Sequence, residues 1–330
     1  MSIHSIVAAW LRHHPVSEVV VGLSGGADSL ALVHTARYHG LTVHAVVVDH
    51  QLQAGSAGVA ATAAAQARQL GATAEVVAVS PAPGEGPARE ARYAALGRAA
   101  AGHPLLVAHT ATDNAESLLL GLARSSGLDA LAGMPPVTSE HPAVRAGAAW
   151  VGRPLLAATR EQTRHHCALA GLDFWDDPHN EDARFLRSRV RTELMPVAEE
   201  VLGRHLSANM ARTADLLRQD SEALNEYATG VLRRLTAVAS PSKNSTLSCG
   251  DLKDHPAAIR RRVYQQWLRG RAGELTSTHL HEIDAMVADW KGQAGVALPW
   301  PTMNGMRRTH RLVVRRIDAK LQLDAIERKP

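Results

Sequence analysis

Strand–helix alternation through the first 125 residues predicts an α/β protein: a parallel sheet with helices on both faces, followed by a mostly helical C-terminal domain. Two observations carry this. Short apolar runs recur at 19–23, 43–48, 75–79 and 105–108, and helix-forming stretches separate them at 29–38, 57–70, 87–101 and 115–122. Short links between such segments force each strand to cross back parallel to its predecessor, with the helices covering the faces. The expected boundaries are an α/β domain at 1–200 and a mostly helical domain at 201–330. In open sheets of this kind ligands bind beyond the carboxyl ends of the strands. The chemically distinctive residues lie there: Ser24 to Ser29 after the first strand, Asp49 and His50 after the second, and His109 to Asp113 after the fourth.

The first strand, Val19-Val20-Val21-Gly22-Leu23, runs into Ser24-Gly25-Gly26-Ala27-Asp28-Ser29 and then into an apolar periodic stretch. A small-residue turn feeding a helix start exposes successive backbone N–H groups beside a partial positive charge, which suits phosphate. Ser24 and Ser29 add hydroxyls, and the Asp28 carboxylate is able to hold Mg²⁺. No Gly-Lys-Ser/Thr follows, so this is no Walker loop, and no third glycine completes a dinucleotide fingerprint.

After the fourth strand, His109, Asp113 and Glu116 cluster where strand gives way to helix. Asp113 and Glu116 share a helix face and can hold an ammonium group or a metal, or serve as cap and first-turn acids. Arg89 and Arg92 share a face of the preceding helix; they suit phosphate-charge stabilisation or simple exposure to water. Residues 124–155 read as loops and turns. Thr159 and Gln162 form a capping box opening a helix to Leu169. A polar turn at 173–182 precedes an arginine-rich helix in which Arg184, Arg187 and Arg191 recur on one face, suited to a phosphate backbone or to solvent. Helical patterns continue to about 238, and 239–245 read as a loop. Two more helices follow near 256–269 and 277–290, then strand-like runs at 296–298 and 312–316 about a turn at Asn304-Gly305.

The chain of 330 residues has 45% hydrophobic and 21% charged residues, ordinary for a globular protein. No apolar run approaches a membrane span and the N-terminus lacks signal-peptide character, so a cytoplasmic protein without a membrane partner is expected. The net charge of +4 is uneven: residues 1–150 carry 8 Arg and no Lys against 10 carboxylates, so the basic excess lies downstream. A basic second half suits a polyanion such as RNA. Arg260-Arg261-Arg262 and Arg307-Arg308 are candidate phosphate contacts there. Two distant cysteines, Cys167 and Cys249, support neither a disulfide framework nor a cysteine-held cluster.

In this order the motifs resemble the tRNA(Ile)-lysidine synthetase family of PP-loop ATP pyrophosphatases, whose fold is of the adenine nucleotide alpha-hydrolase type. The resemblance rests on the loop at 24–29, Val48-Asp49-His50-Gln51-Leu52-Gln53, residues 88–93, residues 108–117, Arg153-Pro154-Leu155-Leu156, and residues 177–191. It implies a ligase using ATP and Mg²⁺ that joins L-lysine to carbon-2 of the wobble cytidine of isoleucine tRNA through an adenylated base. It further implies that residues 24–29 bind ATP, Asp28 supports ATP and metal, Arg92 stabilises developing phosphate charge, and His109 and Asp113 sit at the reacting centre. Asp113 and Glu116 are then lysine-binding candidates, and Arg187 and Arg191 tRNA-binding candidates; a homodimer is left open. Gln53, Thr112, Ser125, His179 and Ser188 depart from the family pattern, none of them in the phosphate loop or at Arg92, His109 or Asp113. A tRNA thiolase of the same superfamily and a non-catalytic RNA-binding paralogue are the alternatives.

Overall fold

The computed structural model describes residues 1–51, 55–82, 84–124, 127–176, 185–237, 246–301 and 310–327. Gln53, Ser125, residues 177–184 with His179 and Arg184, the loop at 239–245, the turn at 304–305 and Arg307-Arg308 lie outside them. The chain divides into two compact units, Met1–Arg218 and Gln219–Pro330.

The first unit opens with α1 (Ile3–His13), β1 (Glu18–Gly22), α2 (Ala27–Tyr38), β2 (Thr42–Asp49), α3 (Ser56–Gln69), β3 (Thr73–Ala78), α4 (Glu85–Ala100) and β4 (Leu105–Leu106). It continues with α5 (Ala111–Ala123), α6 (Leu128–Leu131), β5 (Val137–Thr138), α7 (Pro142–Arg145), β6 (Val151–Gly152) and α8 (Arg160–Leu169). Then come α9 (Leu186–Arg189), one wide π turn at Val190–Leu194, α10 (Met195–Leu202) and α11 (Leu206–Ala237), which carries the boundary between the units.

The six strands run in the order β3-β2-β1-β4-β6-β5. All neighbours are parallel except β5, which pairs antiparallel with β6 at the edge. Period-two side chains make β1 a two-sided core strand. Val19 and Val21 pack with α1, α2 and α3, while Val20 packs with Tyr93, Leu96 and Val107 on the opposite face. Burial on both faces explains why these strands read as continuous valine runs. Strand order reverses between β2 and β4 about β1, so the turns after β1 and β4 open on one crevice.

In the first unit α1, the four-residue helices α6 and α7, and strands β5 and β6 were not visible as such in the sequence. α1 lies in a stretch read only for targeting signals; Ile3, Ile6, Val7 and Trp10 bury one face of it. β5 and β6 lie within 124–155, read as loops and turns. Each is two residues long, too short for any period to register, and each exists through sheet pairing.

The second unit contains β7 (Leu247–Ser248), α12 (Cys249–Lys253), α13 (Ala257–Leu268), α14 (Ser277–Ala288), β8 (Val296–Leu298), β9 (His310–Ile317) and β10 (Lys320–Glu327). Its sheet is antiparallel in the order β7-β10-β9-β8. The C-terminal part is thus helices packed on a small sheet; β7 and β10 add to the two strands expected. Tyr264, Trp267, Ile283, Met286, Val314 and Leu321 lie in its core.

Candidate active site

The turn after β1 is built as its residue types demand. Gly25 has φ +83°, a left-handed conformation costly for any residue with a Cβ, and an added Cβ would lie 3.2 Å from that of Ala63. Gly26 is the N-cap of α2 and makes no side-chain cap hydrogen bond. The two hydroxyls knit the turn: Ser24 N–H donates to Ser29 Oγ at 3.1 Å, Gly26 N–H donates to Ser24 Oγ at 3.3 Å, and Ser29 Oγ donates to the Gly26 carbonyl at 2.9 Å. Ser29 is buried and Ser24 exposed. A cavity of about 390 Å³ opens beside Gly25, walled by Thr62, Gln66, Phe174 and Trp175. An uncapped helix start beside an open cavity suits an anion held by main-chain N–H groups.

Asp28, in the first turn of α2, accepts a hydrogen bond from the Thr163 hydroxyl and a long one, 3.5 Å, from Arg160 Nε. Burial raises its carboxyl above the usual range despite both contacts. Its oxygens are thus short of positive charge, and an oxygen donor in that condition fits a hard divalent cation.

Asp113 serves two purposes at once. Its Oδ2 closes a capping box, accepting from Thr110 N–H at 2.8 Å and from the Thr110 hydroxyl at 2.9 Å. Its Oδ1 faces Arg160 Nη2 at 3.2 Å, Arg191 Nη2 at 3.4 Å and Arg187 Nη2 at 3.7 Å. Burial alone would push this carboxyl up; Arg160, Arg187 and the Thr110 N–H outweigh it and hold the group ionised below the usual range. Glu116, one turn on, is fully buried and accepts from Arg187 Nε at 2.8 Å and from Arg191 Nε at 2.7 Å and Nη2 at 3.0 Å. Three carboxylates and three guanidiniums therefore interlock, and burial without such pairing would cost several kcal/mol per ion.

His109 is neutral: burial first, then Arg153, Arg187 and Arg89, against the opposing pull of Asp113, bring its pKa down to about 3. Arg153, itself buried, donates from Nε to His109 Nδ1 at 3.3 Å and from Nη1 to the Pro135 carbonyl at 2.8 Å. Since a guanidinium only donates, Nδ1 is the acceptor nitrogen and the ring proton sits on Nε2.

Of the residues singled out by sequence, Asp28, Asp113 and Glu116 come together about Arg160, with His109 beside Asp113. Arg187 and Arg191 do share one face, but that face is turned onto Asp113 and Glu116 instead of forming an exposed stripe. Glu116 is correspondingly clamped between arginines and has no exposed surface. Arg92 stands elsewhere: it is exposed on α4, with its guanidinium 5.1 Å from the Tyr93 ring centre, and after burial it is the next cause of the low pKa of His50 at the end of β2. In the second unit Arg260 is buried in a fork on Asp284 at 2.7 and 2.8 Å, so its guanidinium is committed to the fold.

Arg160, Thr163 and Arg153 were missed as site residues. Arg160 and Thr163 were visible only as the start of a capped helix, and Arg153 only as part of a motif. What recruits the first two is the packing of α8 against α2, with Arg160 reaching Thr112 and Asp113 of α5, which no local pattern encodes. Thr112, which departs from the expected acid, accepts Arg160 N–H at 3.2 Å and so anchors the start of α8.

Residues 2–198 match the PP-loop domain family, and residues 247–321 match the TilS substrate binding domain. The fold and the phosphate turn thus define a PP-loop protein. A solved structure of similar architecture is the U34-tRNA thiolase NcsA from Methanococcus maripaludis with its [4Fe-4S] cluster, with a TM-score of 0.52 over 66% of this chain and 78% of that one at 15% identity, a likeness of fold alone. Curated relatives are far nearer. The tRNA(Ile)-lysidine synthase of Rhodococcus erythropolis is 43% identical over 95% of this chain and 95% of its own. That of Nocardia farcinica is 44% identical over 94% and 96%. The chain belongs to the tRNA(Ile)-lysidine synthase family.

Proposed function

We propose that this protein forms lysidine on isoleucine tRNA, joining L-lysine to carbon-2 of the wobble cytidine at the expense of ATP, in the cytoplasm. The observation that supports this reading best is Arg160, which touches Asp28 of the phosphate turn at 3.5 Å and Asp113 of the second centre at 3.2 Å. A nucleotide on the turn and a nucleophile at Asp113 would then meet within one side chain's reach.

The cytidine C2 oxygen attacks the α-phosphorus of ATP and pyrophosphate leaves. The lysine ε-ammonium gives a proton to the Asp113 carboxylate, the freed amine adds to C2, and AMP departs with the former C2 oxygen. A carbonyl-type oxygen leaves poorly and a phosphate monoester well, so activation lowers the barrier to amine attack. The uncapped start of α2 and the Ser24 and Ser29 hydroxyls hold the outer phosphates. Arg92 is assigned the developing phosphate charge on the family resemblance alone, since here it stands on α4 over Tyr93. Mg²⁺, held by Asp28, would neutralise charge on the pyrophosphate. His109 donates from Nε2 to the base or its adenylate and does not act as a proton acceptor, since its pKa is about 3. Asp113 exchanges an arginine for the lysine ammonium, and Glu116 acts by fixing Arg187 and Arg191. Those two arginines carry the anticodon-loop phosphates with whatever donors Glu116 leaves them. A single-stranded loop yields its base to such a pocket at little cost.

The thiolase alternative fails on the cysteines. Cys167 is fully buried, donates to the Ala27 carbonyl at 3.3 Å, and is pushed by burial to a pKa of about 11. Cys249 is buried in the other unit with its pKa also raised. Neither is a ready thiolate.

Incubation of the protein with isoleucine tRNA, ATP, Mg²⁺ and labelled lysine, followed by mass spectrometry of the anticodon-loop nucleosides, tests the reading. Lysidine carrying the label is expected. Label-free cytidine despite ATP consumption would refute lysine as the nucleophile.

A further inference from the structure

Away from the reacting centre, three histidines from three helices converge: His4 of α1, His34 of α2 and His166 of α8. One ring nitrogen from each lies within 4.8 Å of the others. His34 Nδ1 and His166 Nε2 are 3.0 Å apart. His4 Nδ1 is buried and, among the described residues, has no hydrogen-bond partner. The rings crowd one another, with centroids 5.0 Å apart for His4 and His166 and 5.1 Å for His34 and His166.

We propose that His4, His34 and His166 form a binding site for a transition-metal dication of the Zn²⁺ class. Three imidazoles with an open fourth position are a donor set that such ions take readily and that Mg²⁺ does not. Ligand nitrogens about tetrahedral zinc, at ~2.0–2.1 Å from the metal, stand roughly 3.3 Å apart. His34 and His166 need to open by only a few tenths of an ångström to reach that. All three rings are neutral at pH 7 and so need not lose a positive charge: burial lowers each pKa, His34 and His39 further oppose protonation of His4, and His34 and His4 that of His166, which falls to about 4. The proton balance closes without release. The hydrogen between His34 Nδ1 and His166 Nε2 belongs to one ring, which moves to its other tautomer, and both facing lone pairs then go to the metal.

The site's place in the fold says what it does. Asp28 lies six residues before His34 on α2, and Arg160 and Thr163 lie six and three before His166 on α8. A metal on the histidines ties α1, α2 and α8 together behind the contact of Asp28 with Thr163 and Arg160. Oxygen ligation of Mg²⁺ at Asp28 is a separate event.

The test uses the full chain, stripped of metal and titrated with Co²⁺ as a spectroscopic stand-in for Zn²⁺. One equivalent should give the visible bands of tetrahedral nitrogen coordination. Zn²⁺ should abolish them and excess Mg²⁺ should not. H34Q and H166Q should each weaken binding about 100-fold, and Zn²⁺ should raise the melting temperature of the unsubstituted chain but not theirs. Should either variant fail to fold by circular dichroism, H4Q serves, since α1 contributes a single ligand. Absence of the bands in the unsubstituted chain, or bands unchanged in the variants, overturns the proposal.

Discussion

The phosphate turn and the arginine–carboxylate cluster are built on opposite plans. The turn is one run of six residues whose chemistry is largely main chain: Gly25 admits the left-handed bend, small hydroxyls tie it, and the helix start supplies the donors. The cluster draws on α5, α8, α9 and the π turn, and its chemistry is side-chain charge. A local main-chain site depends on few groups, here the glycine-shaped backbone, the Ser24 and Ser29 hydroxyls and Asp28, all within one short run. A charged cluster gathered from distant segments fails when any one member is removed, because the others are left buried and unpaired.

The sharpest contrast comes from Glu116→Ala. It leaves the Arg187 and Arg191 guanidiniums without their buried partner and should cost about 3–5 kcal/mol of stability by denaturant unfolding. A loss under 1 kcal/mol would show the cluster to be looser than its distances imply. Next, Asp113→Asn keeps an oxygen for the Thr110 cap but removes the charge. Lysine transfer should fall about 100- to 1,000-fold, read by single-turnover label incorporation, with a smaller loss of stability than Glu116→Ala because Arg187 and Arg191 keep Glu116. Full activity would remove Asp113 from the mechanism. In the turn, Gly25→Ala forces a Cβ into φ +83° and against Ala63. It should cost roughly 1–3 kcal/mol and raise KM for ATP more than it lowers kcat. An unchanged KM for ATP would separate the turn from nucleotide binding.

The last expectation is one of pH. His109 titrates near 3, and His141 and His166 near 4, against 6.5 when unfolded. The unfolded chain therefore binds more protons between these values. Their contribution to stability is whole above pH 6.5 and drains away as pH falls toward 4. Asp28, with its raised carboxyl, opposes this at the acid end. Urea midpoints between pH 7 and 5 should fall; a flat profile would mean the histidines are not held neutral. Activity over the same range should show no base with the ordinary histidine pKa at His109.

Much of the fold was legible because its signals are local. The valine runs of β1 and β2, the small-residue turn at 24–29 and the Thr159 capping box lie within a few residues of what they specify. β5 and β6 were not legible, because two-residue strands exist only through their neighbours. Among the site residues, Asp28 and Asp113 could be named from sequence because the motif and the strand-to-helix junction mark them. Arg160 could not, because nothing near it in the chain differs from an exposed helix start.

By itself, then, the order of residues determined the parallel sheet, the phosphate turn at its first strand and the family resemblance carried by motifs from 18 to 196. Only tertiary structure decided what the charges do: that Arg187 and Arg191 turn onto Glu116, that Arg160 joins Asp28 to Asp113, and that Arg153 sets the tautomer of His109. The physical reason is range. Backbone conformation is set by neighbours in sequence, whereas a buried charge is set by whichever opposite charge the packing of distant helices brings within about 4 Å.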